Sequence, residues 1–219
     1  MRKKQSMIYL LASLVTLSAC GGTNAVGYGP GISPAQRDEI HRNTVRPTIE
    51  PEAKYVSSVV ECDVPMSPQE YIRASSSFRL EDVLVGSKHI PRVVRTEPLS
   101  GAWGPPGARR RVVLEDGNTA LEELIEDRRP ELYLYEVWNF TSSEGKYVKY
   151  AVGKFEVTGD ANTAHVRWTY SFRPSGWPAS WFAGRFVHGE YHEFMQNGLK
   201  AIREKTIEAH QQLTQAAAN

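Results

Sequence analysis

The chain closes on one long amphipathic helix behind a run of short alternating segments, and no other feature constrains the fold as much. Pro178 opens a helical pattern that continues to about residue 212. Val187, Tyr191, Phe194, Gly198 and Ile202 fall on one stripe, which Phe186, Met195 and Leu199 widen. About 33 residues rising 1.5 Å each make a rod near 50 Å long. Its apolar stripe must be covered, and the segments before it offer a sheet.

Residues 55–64 alternate, with Val56, Ser58, Val60, Cys62 and Val64 on one face and polar residues on the other, the pattern of a half-buried strand. Cys62 on that apolar face reads as a small core residue. Ser67-Pro68-Gln69-Glu70 is a capping box with proline at the first helical position, so a short helix is expected to about residue 75. Leu80, Val83 and Leu84, with Gly86 behind them, suggest a second short helix. Residues 92–97 lead into the turn-rich Gly101-Ala102-Trp103-Gly104-Pro105-Pro106-Gly107. Residues 109–115 and 119–126 flank Asp116-Gly117, a strong hairpin signal, and 132–140, 146–158 and 164–172 complete a meander of five antiparallel strands. The expected class is α+β: a sheet curled around the long helix, each burying one face of the other.

The N-terminus reads as an address. Residues 1–6 are basic, and residues 7–19 form an apolar stretch too short for a spanning helix, which needs about 20 residues. Leu17-Ser18-Ala19-Cys20 resembles the bacterial lipobox. That resemblance implies removal of residues 1–19, lipidation of Cys20 and attachment to a membrane through two or three acyl chains, which anchor stably where one does not. Gly21 is not the aspartate that retains many such proteins in an inner membrane, so in a host with two membranes the expected location is the outer membrane, facing the periplasm. Residues 20–54, rich in Gly and Pro and then polar, read as a tether with at most a helical turn at 38–42, and the folded domain as residues 55–214.

Composition narrows the function classes. Setting aside Arg2, Lys3 and Lys4, the 26 basic side chains fall to 23 against 25 acids, no basis for a nucleic-acid partner. Two cysteines exclude a disulfide scaffold or a four-cysteine zinc site. His188 and His192 have the i, i+4 spacing of metal ligands, but Gly189 stands where a zincin has Glu and no third ligand suggests itself. There is no Gly-x-Ser-x-Gly elbow, no phosphate-binding loop and no motif that asks for a cofactor.

Candidate binding residues come from the strand faces. Val166, Trp168, Tyr170 and Phe172 make one face of the last strand aromatic, and Tyr133, Tyr135, Val137 and Asn139 offer a second inward row, although Leu132, Leu134 and Trp138 make the opposite face nearly as apolar. A two-residue turn at Asp116-Gly117 pairs Arg110 with Glu123 and Arg111 with Glu122, one pair facing the core. Phe186 faces the sheet from the helix, and the loop around Trp103 is placed to gate a mouth.

The order of elements, with Gly107-Ala108-Arg109-Arg110-Arg111-Val112-Val113-Leu114-Glu115-Asp116-Gly117, Ala120-Leu121-Glu122-Glu123-Leu124 and His165-Val166-Arg167-Trp168-Thr169-Tyr170-Ser171-Phe172, resembles the START-like superfamily, which includes the Bet v 1 and polyketide-cyclase/lipid-transport proteins. The resemblance covers about residues 55–208. It implies a helix-grip fold with a cavity between sheet and long helix for an apolar or aromatic small molecule or lipid. The expected function is therefore an envelope lipoprotein that binds or transfers such a molecule. The alternatives are an enzyme of cyclase, dehydratase or hydrolase type, with catalytic residues unassigned, and an interaction module with a filled core.

Overall fold

The structure, a computed structural model, describes residues 33–51 and 54–218. The expected signal segment, Cys20 and residues 21–32 lie outside the described residues. In chain order the elements are α1 (Pro34–Asn43), β1 (Val56–Val64), α2 (Pro68–Ser75), α3 (Leu80–Val83), β2 (Val93–Pro98), β3 (Arg109–Leu114), β4 (Thr119–Arg128), β5 (Leu132–Trp138), β6 (Val148–Gly159), β7 (Ala164–Pro174), α4 (Ala179–Phe186) and α5 (His192–Ala218). One π turn, Val187–Tyr191, joins α4 to α5 without breaking the rod.

Seven strands form one antiparallel sheet in the order β1-β7-β6-β5-β4-β3-β2. Residues 93–98 are thus a sixth meander strand, beyond the five expected; their polar sequence suits the edge of the sheet. Register shifts at Val93/Arg95, Leu124/Glu126 and Val148/Tyr150 bend the sheet so that it wraps the rod. The expected helix-grip fold is the observed one.

α2 starts where its capping box sits: Ser67 Oγ accepts from the Glu70 amide, and the Glu70 carboxylate accepts from the Ser67 amide at 2.8 Å. On the rod, Val187, Met195 and Leu199 are buried in one core with residues of β7 and β1, and Phe194 is buried beside the Tyr191 ring. Gly198 lets the rod come close, because a Cβ there would lie 3.3 Å from Trp168 Cζ3 and 3.0 Å from Leu84 Cδ2. Cys62 packs against this core as a half-buried free thiol, and burial pushes its pKa up to about 11.

Two sequence expectations need correction. The β3–β4 loop has three residues, with the Leu114 amide bonded to the Asn118 carbonyl and Gly117 at φ +85. Asn118 turns back onto Asp116 with both its amide and its side chain, which widens the turn. Arg110 therefore pairs with Glu122 and Arg109 with Glu123. A one-residue slip exchanges the faces of a strand, so Glu122 points inward and Leu121 and Glu123 outward.

The second correction concerns residues 33–50, read as tether. Ser33 and Gln36 form a capping box at the start of α1, and His41 is fully buried. The segment lies as a strap over the outer face of the sheet. Arg111 meets Asp38 at 2.8 Å, as well as His41 and Glu97. Arg109 donates to the carbonyls of Arg42 and Thr44. Arg46 pairs with Glu123 at 3.1 Å and with Glu136, while Arg173 holds Glu50 at 2.9 Å. Strap, sheet and rod close one body, and every described residue of it lies in the chain from Gly21 onward.

Candidate functional site

Between the inner face of the sheet and the rod lies a cavity of about 390 Å³, within the range of roughly 300–1,000 Å³ usual for small-molecule sites. β7 contributes Trp168 and Tyr170, β5 Tyr133 and Tyr135, and the rod Phe186 and Tyr191. Phe186 and Tyr191 are five residues apart; the extra residue in the π turn brings both to the same side, which α-helical spacing alone would not. The sequence puts Tyr191 on the apolar stripe but not at the cavity, because a π turn leaves no mark in hydrophobic periodicity.

The tyrosines are fixed by one another and by tryptophan. Trp168 donates its indole N–H to the Tyr135 hydroxyl at 3.0 Å, and Trp103 donates to the Tyr133 hydroxyl at 2.8 Å. Tyr170 and Tyr191 rings lie 4.8 Å apart. Gly153 on β6 is what admits the Tyr135 ring, for a Cβ there would sit 2.0 Å from Tyr135 Cζ. Burial pushes the Tyr133 pKa up to about 12 and those of Tyr135, Tyr170 and Tyr191 well above the usual phenol value. At neutral pH all four are therefore neutral hydroxyls, able to orient a ligand but not to act as ready bases.

One charged pole interrupts this wall. Arg110 donates its Nε–H to Glu122 at 2.6 Å, both side chains buried, and its guanidinium lies 3.7 Å above the Trp103 ring. Arg79 and Arg129 also line the cavity, but Arg79 is paired with Asp82 and Arg129 with Asp127. Each arginine at the cavity thus has its own carboxylate, and the pole is close to neutral. Among the described residues lining the cavity there is no histidine, cysteine or lysine, and Glu122 is the only carboxylate.

Of the expected binding residues, Arg110, Tyr133, Tyr135, Trp168, Tyr170 and Phe186 line the cavity. Glu123 does not: the register places it outside, between Arg109 and Arg46. Its inward place belongs to Glu122. Asn139 also falls away, because its backbone is left-handed at φ +56 and strand alternation ends at Trp138. Trp103 packs into the cavity wall. His192 lies at 2.8 Å from Ser58, His188 is exposed, and among the described residues no group of His, Cys, Asp or Glu has the arrangement of a metal site.

Residues 55–205 match the model of a family described as polyketide cyclase / dehydrase and lipid transport. No curated protein matches the chain. Among solved structures, Ara h 8.0201 is 18% identical with a TM-score of 0.52, covering 71% of this chain and 99% of its own. TTHA0849 from Thermus thermophilus is 17% identical with a TM-score of 0.51, covering 70% and 98%. A norcoclaurine synthase point mutant from Thalictrum, solved with a transition-state analogue, is 16% identical with a TM-score of 0.51, covering 72% and 98%. At such identity these likenesses concern the fold alone. The strap lies outside the family match.

Proposed function

The chain belongs to the polyketide cyclase/dehydrase and lipid transport family, and from that premise we propose that it is an envelope lipoprotein whose cavity binds and carries a neutral amphipathic molecule. The observation that carries this reading is the charge-balanced pole in an otherwise aromatic cavity. Apolar area supplies the affinity. The tyrosine hydroxyls and the Arg110–Glu122 pair orient a hydroxyl, carbonyl or amide head. A free carboxylate finds Arg110 already answered by Glu122, and bringing it there leaves a buried negative charge uncompensated. The lining supports binding over catalysis, since it offers no nucleophile beside a base.

The anchor in this reading is lipidated Cys20, with residence in the outer membrane facing the periplasm where the host has two membranes. Cys20→Ala should remove the protein from the detergent phase; unchanged partitioning would sink the anchor. The cavity is tested by titrating the chain from Gly21 onward with a long-chain fluorescent alcohol and the corresponding fatty acid. The alcohol should bind at least about tenfold more tightly, a difference of about 1.4 kcal/mol. Tighter binding of the acid would overturn the neutral-ligand reading.

A further inference from the structure

We propose that an exposed aromatic ridge at the start of the rod docks on an anionic lipid bilayer and turns one end of the cavity towards it. Trp177, Trp181 and Phe182 are 90%, 65% and 43% exposed. Scattered apolar residues on a surface need no explanation, but three large aromatics within six positions do. They sit on ordered backbone: the Ser180 amide bonds to the Gly176 carbonyl and the Trp181 amide to that of Pro178, each at 3.0 Å. The Trp181 and Phe182 rings lie 4.9 Å apart, and Phe182 stacks on Tyr147 at 5.2 Å.

The ridge adjoins the cavity. Phe186, one turn beyond Phe182, lines it, as do Gly145 in the turn that carries Tyr147 and Ser142 at the start of that turn. The segment that carries the ridge is basic. From Arg173 to His188 the chain has two arginines and no acid. Exposed Lys54, Lys146 and Arg185 flank the aromatics; Glu50, the acid beside Trp177, is held by Arg173, and Glu52 and Glu144 neighbour Lys54 and Lys146 in the sequence, so the basic excess lies on residues 173–188.

Tryptophan prefers the headgroup boundary, where its ring is apolar and its N–H stays wet. A basic rim adds attraction to anionic headgroups. Tether length agrees. Because the strap first meets the sheet at Asp38, residues 21–37 separate that contact from Cys20, and fully extended they span at most about 60 Å. This last point borrows the proposed anchor; ridge and rim do not.

The test uses the chain from Gly21 onward, without ligand, in flotation with vesicles of phosphatidylethanolamine and phosphatidylglycerol, three parts to one. The wild-type chain should float with them, and Trp177→Ala/Trp181→Ala should lower its partition coefficient at least about tenfold. Lys146→Glu/Arg185→Glu should lower it too and weaken its salt dependence. A measurement needing no variant is tryptophan quenching by brominated lipid, which should reach the two exposed indoles and spare the buried Trp138 and Trp168. Absence of wild-type binding, equal partitioning of the tryptophan variant, or absence of quenching would overturn the proposal. So would a wild-type dimer that the tryptophan variant dissociates, which would assign the ridge to a second copy. Dye binding in the cavity is read separately, so failure of the ridge and failure of the cavity are distinguishable.

Discussion

On its inner face the sheet presents Trp168, Tyr170, Tyr135 and Tyr133 to a rod and a cavity, with Arg110–Glu122 as the ion pair among them. On its outer face it presents Arg109, Arg111, Glu123 and Glu136 to a strap bearing Asp38, His41, Arg46 and Glu50. Leu121, Trp138 and Tyr150 form a smaller apolar cluster there. The inner face is held by ring packing and should be indifferent to salt and pH. The outer face is held by charge and should respond to both. An aromatic binding wall and a charge-held cover thus occupy opposite sides of the same strands.

The largest effect should come from breaking the inner face. Gly153→Ala drives a methyl into the Tyr135 ring, and overpacking of this kind costs about 3 kcal/mol or more where the obstacle is a ring pinned from several sides. Thermal unfolding should show a lower midpoint together with lost dye binding.

Next in size is the outer pair Arg46–Glu136. Burial raises the Glu136 pKa to about 7, against the pull of Arg46. The folded value lies above the unfolded one, so the contribution of Glu136 is fully present below about pH 4.5 and is lost as pH rises through about 7. Arg46→Met should therefore cost about 2 kcal/mol near pH 8 and much less near pH 5, where Glu136 takes up a proton. Denaturant titrations at the two pH values check this, and ligand affinity should not change.

A smaller effect separates the faces by chemistry. Glu122→Gln leaves Arg110 charged and should raise fatty-acid affinity about tenfold, equal to about 1.4 kcal/mol, with little change for the alcohol. Competition between the two ligands reads it directly.

The smallest concerns His41. Burial, helped by Arg111 and opposed by Glu97, lowers its pKa to about 4. The folded value lies below the unfolded 6.5, so its contribution is present above about pH 6.5 and lost as pH falls towards 4. His41→Gln should flatten that acid limb between about pH 6.5 and 4. Amide exchange of residues 36–50 against pH is the measurement.

The contrast also explains what was legible in the sequence. Alternation in β1, β5 and β7 and the box at Ser67 are local patterns, and they located the elements and most of the cavity wall. Leu134 and Trp138 opposite Tyr133 and Tyr135 already implied a strand covered on both faces. What covers the outer face was hidden, because α1 (PAQRDEIHRN) docks through charges and has no apolar stripe. Its one local cue is Ser33-Pro34-Ala35-Gln36, the same pattern as at Ser67. Glu122 was missed for a different reason: Asp-Gly reads as a two-residue turn, and the closure of Asn118 onto Asp116 depends on side-chain hydrogen bonds that composition does not reveal.

The space between sheet and rod should, above all, behave as a binding cavity. Ala120 lines it on β4 and is partly buried, so Ala120→Trp fills it without removing a core contact. A fluorescent naphthalene dye titrated into the chain from Gly21 onward should bind the wild type with saturable emission and fail to bind Ala120→Trp, with both proteins folded by circular dichroism. Saturable binding of equal affinity in the two proteins would place the dye elsewhere and contradict the cavity reading.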